Sequence, residues 1–113
     1  MTDRRLFNSW KRWLKANFPS DSCKPIVKLV PPGVLNNEHG GPTDGDYLWN
    51  GQTCRMRIAD TLNEGETLDA LQHEWAHFLR CHLPSMPGDS EHDEVFAALK
   101  GRIYRCWLEE SAS

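Results

Sequence analysis

The chain has 113 residues, of which 39% are hydrophobic and 26% charged, with a formal net charge of −3. That length holds one domain, residues 1–113, and no apolar run approaches the roughly 20 residues of a membrane-crossing helix. The near-balanced charge argues against a surface coated throughout for nucleic acid. Residues 3–18 predict a first helix: Leu6, Trp10, Trp13, Leu14 and Phe18 recur at three- and four-residue intervals, and Pro19 ends it. Arg4, Arg5, Lys11, Arg12 and Lys15 fill much of its other face. They read as a solvated surface first, and as a nucleic-acid contact second.

Ile26–Val30 is a β-branched run that predicts a strand, closed by Pro31-Pro32-Gly33. Residues 36–46, NNEHGGPTDGD, are dense in turn formers and read as a long surface loop, a candidate cleft rim. His39 and Glu38 within it are read as bystanders. Asn50-Gly51 is a hairpin signal between Tyr47-Leu48-Trp49 and Cys54–Ala59. In the second of these strands Cys54, Met56 and Ile58 alternate with Arg55 and Arg57, which predicts one buried and one wet face.

Two helices follow. One is expected from Thr67 to Leu83, with Leu68, Leu71, Trp75, Phe78 and Leu79 as its buried stripe, ended by Pro84 and the turn at Met86–Asp89. The last begins at Ser90, where Ser90-Glu91-His92-Asp93 fits a capping box, and carries Phe96, Leu99, Ile103 and Trp107 on its core face. The order is an N-terminal helix, a short antiparallel sheet with a hairpin, and two helices: an α+β domain. Cys23, Cys54, Cys81 and Cys106 show no closely spaced pair. With no export signal read in MTDRRLFNSWKRWLK, they are expected to be four reduced thiols in a cytoplasmic protein.

The string that carries chemistry is His73-Glu74-Trp75-Ala76-His77, an H-E-x-x-H inside a predicted helix. Residues four apart lie about 40° apart around the axis and one turn along it, so both imidazoles can reach one ion. The intervening glutamate can take a proton from an activated water. The alternative is an ordinary surface helix with two polar-face histidines. A catalytic zinc takes three protein ligands and keeps one position open. His82, Glu91, Glu94 and His92 are the downstream candidates for the third. The metzincin spacing requires a glycine at position 80 and a histidine at 83, where this chain has Arg80 and Leu83. His92 stands one turn before Phe96, on the face predicted to be buried, and is favoured on that ground. Asp69 and Asp93 are within sequence reach of the histidines as hydrogen-bond acceptors, but read more simply as helix-start charges. Tyr47 and Tyr104 are candidates for stabilising an oxyanion. Tyr104 is turned about 120° around the last helix from His92.

These motifs resemble the SprT-like zinc peptidases, which include the Spartan proteases, and the related WLM peptidases. HEWAH matches the active-site helix, and His92-Asp93-Glu94-Val95-Phe96 resembles the histidine with an aromatic four residues later. CRMRIADTLNEGETLDALQHEWAH looks like the family's strand, linker and helix, so the resemblance spans roughly residues 54–107. Asp93 stands where the SprT-like proteins usually carry glycine. The resemblance implies a minimal zincin-like domain and a zinc-dependent peptidase. His73, His77 and His92 would hold Zn2+, Glu74 would act as general base, and a protein or peptide substrate would pair along an edge strand beside the cleft. Arg55 and Arg57 would either favour acidic substrates or simply face solvent. Two other readings stand beside it. One is a catalytically inactive, zincin-like metal-binding interaction module. The other is a DNA-associated protein using the basic first helix, for which the overall charge gives little support.

Overall fold

The computed structural model describes residues 3–20, 24–35, 44–81 and 94–111. It is an α+β arrangement of three helices and a three-stranded sheet. Helix α1 covers Arg4–Asn17. Asp3 caps its start, its carboxylate accepting from the amides of Arg5 (2.8 Å) and Leu6 (3.2 Å). Phe7, Trp10 and Leu14 form its buried stripe, with Leu6, Trp13 and Phe18 half covered. Phe7 therefore joins the apolar face read from the sequence.

The strands are β1 (Ile26–Val30), β2 (Gly45–Trp49) and β3 (Cys54–Ala59), arranged in the order β1-β3-β2. The expectation of an antiparallel sheet is corrected here: β3 pairs antiparallel with β2 but parallel with β1. The hairpin signal fixes only the β2–β3 pair. Strand β3 takes the centre because Cys54, Met56 and Ile58 all point into the core with no exposed surface. The hairpin loop also works differently from a two-residue turn. Four residues, 50–53, separate the paired ends Trp49 and Cys54. The Asn50 side-chain oxygen accepts from the amides of Gln52 (2.9 Å) and Thr53 (2.7 Å), while Gly51 supplies the positive φ of 91°. Strand β2 starts at Gly45, inside the stretch read as loop, because Asp46 is drawn into the ladder opposite Arg57.

Helix α2 runs Glu64–Cys81 and α3 runs Glu94–Ser111. Asn63 and Glu66 close the start of α2 reciprocally. Asn63 Oδ1 accepts from the Glu66 amide at 2.8 Å, and Glu66 Oε1 accepts from the Asn63 amide at 3.1 Å. The helix thus begins a turn earlier than its apolar period alone implies. Leu71, Trp75 and Phe78 are fully buried against the sheet side, and burying each contributes roughly 1.5–3 kcal/mol. Helix α3 packs on α2 through Phe96 and Ile103. At the far end, Trp107 meets Trp10 and Trp13 edge-on, at 6.3 and 5.2 Å between ring centroids. Trp13 also donates its indole N–H to Glu110, and Trp75 donates to the carbonyl of Phe18 at 2.9 Å. These links seat α1 against the other two helices. No helix among the described residues is long and apolar enough to cross a membrane.

Cys54 is disulfide-bonded, whereas Cys106 carries a free thiol. The expectation of four reduced thiols is corrected accordingly. Wide spacing in sequence rules out a local cysteine pair but says nothing about which residues the fold brings together. The cytoplasmic expectation loses the support it drew from that reading.

Candidate metal centre

His73 and His77 stand one turn apart on α2, both half-buried on the side that meets α3. Their rings are 4.8 Å apart at 74°, and their Nε2 atoms approach to 3.2 Å. Two vertices of a tetrahedral zinc site with metal–nitrogen arms of about 2.0–2.1 Å lie roughly 3.3–3.4 Å apart. The pair is therefore spaced as two ligands of one ion would be. The same approach lets one imidazole donate to the other when the ring tautomers match.

Glu74 is buried and turned toward the sheet, where its Cγ lies close to Gly45 of β2. Together His73, Glu74 and His77 form a group whose potential ligand atoms all lie within 4.8 Å of one another. The two imidazoles suit zinc better than magnesium or calcium, which prefer all-oxygen sets. Zinc is an ion that this pair of imidazoles could hold.

Helix α3 brings an aromatic ring against the two histidines. The Phe96 ring, 5% exposed, is stacked on His77 at 4.4 Å and 28°, and meets His73 edge-on at 5.0 Å and 70°. Sequence periodicity identifies Phe96 as a core residue but gives no sign that it lies on both histidines. That depends on the register of α3 against α2. Asp69 is largely exposed and pairs with Lys100 of α3 at 3.5 Å, in keeping with its reading as a surface charge. Glu94 is exposed at the first position of α3 and does not join the cluster. Of the two tyrosines, Tyr104 is 54% exposed. Tyr47 lies on the same face of β2 as Gly45 and has a buried hydroxyl. His92, the favoured third ligand, lies outside the described residues, as do His82, Glu91, Asp93, His39 and Glu38.

On the opposite face of the sheet, Asp46 holds Arg57 with a two-pronged carboxylate–guanidinium contact, one arm at 2.9 Å. That hydrogen bond raises the Arg57 pKa above its ordinary value against the opposing effect of burial. The contact ties β2 to β3 next to the residue that meets Glu74. Arg57 is therefore engaged within the sheet, which leaves Arg55 the more exposed of the two wet-face arginines. On α1, burial and the nearby Lys15 and Arg12 push the Lys11 amine below its ordinary pKa.

Comparisons with protein-family models, with curated proteins and with solved structures give no match.

Proposed function

We propose that the chain is a zinc-dependent peptidase that uses Glu74 as general base. The observation that carries this reading is the convergence of His73 and His77 Nε2 at 3.2 Å with the buried Glu74 carboxylate beside them. The resemblance of HEWAH and HDEVF to the SprT-like and WLM peptidases points the same way. His73 and His77 would hold the ion, with His92 as the third ligand. Bound zinc supplies a Lewis acid that polarises a carbonyl and brings water to a pKa of about 7. Glu74 takes the proton from the attacking water and delivers it to the leaving amine. Its burial keeps that carboxylate out of bulk solvent and close to the reacting centre.

Among the described residues β2 is an outer strand of the sheet and passes directly against Glu74, so an extended peptide aligned with it would lie along the site. Backbone pairing of that kind demands little of the substrate's sequence. Tyr47, on the same strand face as Gly45, is the better-placed tyrosine to stabilise developing negative charge. The test is elemental analysis joined to a cleavage assay on unfolded casein. One equivalent of zinc and zinc-dependent cleavage are expected, with both lost in His73→Ala, His77→Ala and His92→Ala but kept in His82→Ala. Purified protein with neither zinc affinity nor cleavage would overturn the reading.

A further inference from the structure

Phe96 is contributed by a different helix from the two histidines, yet it touches both rings. Helical geometry fixes where the Cβ atoms of His73 and His77 lie and leaves each imidazole few χ1 choices. The next torsion, from sp³ carbon to the sp² ring, is broad and roughly two-fold. Turning either ring about it would carry Nε2 away from the shared point. Ligating imidazoles are ordinarily held by a hydrogen bond from their other nitrogen. Here the described residues offer a second constraint: a single phenyl ring, almost fully buried, with its plane near that of His77 and its edge relation to His73 fixed by the same packing.

We infer that Phe96 is a positioning residue for the metal centre, a ring clamp from α3 that holds both imidazoles with their Nε2 atoms converged before the ion arrives. The inference rests on the metal reading above. It adds that the Phe96 ring brought by α3, and not α2 alone, sets the affinity of the site. Phe96 offers no ligand atom, and its role in this inference runs through the two histidine rings that it touches. Because the clamp is preformed, its loss weakens metal capture without removing a ligand.

The experiment compares wild-type protein with Phe96→Leu, Phe96→Tyr and Ile103→Val. Ile103 is a fully buried residue of the same helix. Zinc dissociation constants are measured by chelator competition, and the ring-proton resonances of His73 and His77 are recorded in metal-free protein. Phe96→Leu is expected to weaken zinc binding about tenfold, at the lower end of the effect of losing a group that orients a ligand. Its His77 ring protons should lose the shielding of the stacked phenyl. Phe96→Tyr should restore both properties, and Ile103→Val should lower the unfolding midpoint while leaving zinc affinity alone. Should Phe96→Leu fail to fold, Phe96→Met carries the same comparison. Equal zinc affinity and unchanged histidine resonances in a folded leucine or methionine variant overturn this inference alone. A wild-type protein that takes up no zinc overturns the metal reading and the clamp with it.

Discussion

Gly45 on β2 packs directly against Glu74 on α2. A Cβ added at Gly45 would stand 3.3 Å from Glu74 Cγ, 2.9 Å from the Arg57 carbonyl oxygen and 3.0 Å from Ile58 Cδ1. The tightest of these meetings is with the β3 backbone, so position 45 favours glycine for its fit within the sheet as well as beside Glu74.

Gly45→Ala should therefore be costly twice over. The Arg57 oxygen is backbone and cannot step aside, so overpacking of about 1–3 kcal/mol is expected in a denaturant unfolding curve. Any surviving folded protein should also lose cleavage out of proportion to zinc content, because the displaced group is Glu74 and neither histidine. An alanine variant with wild-type stability and wild-type turnover would show that β2 does not set the carboxylate's position.

Glu74→Gln tests the carboxylate itself. The amide keeps the shape and burial of the side chain but cannot accept and return a proton. A fall in kcat of about 10²- to 10⁴-fold is expected, the usual contribution of a general base, with bound zinc unchanged. Zinc lost together with activity would instead mark Glu74 as a ligand. Activity retained with zinc present would remove it from the mechanism.

The pattern of this sequence reaches the elements more readily than their relations. The stripes of α2 and α3, the strand at Ile26–Val30 and the alternation across Cys54–Ala59 all follow from period and polarity, and all form. The pairing of HEWAH histidines follows from the helix pitch alone. What period cannot give is the direction of β1, the inclusion of Gly45 in a strand, or the meeting of Phe96 with His73 and His77. Each of these depends on how separate elements dock. The capping pair Asn63 and Glu66 was legible in principle, since asparagine followed three residues later by glutamate is a helix-start signal. The apolar stripe, which starts only at Leu68, draws attention past it.

That cap makes a direct prediction. Asn63→Ala removes the acceptor for the Glu66 amide and should destabilise the protein by about 1 kcal/mol. Asn63→Asp keeps an acceptor at the same place and adds negative charge at the positive end of the helix, so it should hold or slightly raise stability. Thermal unfolding of the two variants side by side is the measurement. Equal losses in both would mean that the side chain at position 63 does not hold the start of α2.

Cys54 and Cys106 should separate cleanly by alkylation. Cys54 is fully buried and disulfide-bonded at the first residue of β3, while Cys106 is a half-exposed free thiol on α3. Burial alone would protect Cys54 only while the protein is folded, so the labelling must be done in denaturant. Without reductant, iodoacetamide should modify Cys106 and leave Cys54 intact; with reductant, both should react. Reduction of the native protein should also lower its unfolding free energy by about 2–4 kcal/mol, because the unfolded chain regains freedom that the cross-link had removed. Cys54 begins the central strand, whose other end leads into α2, so this loosening should reach the histidine pair as weaker zinc binding. Alkylation of Cys54 in unreduced, denatured protein would sink the disulfide, and with it the expected effect of reductant on the metal centre.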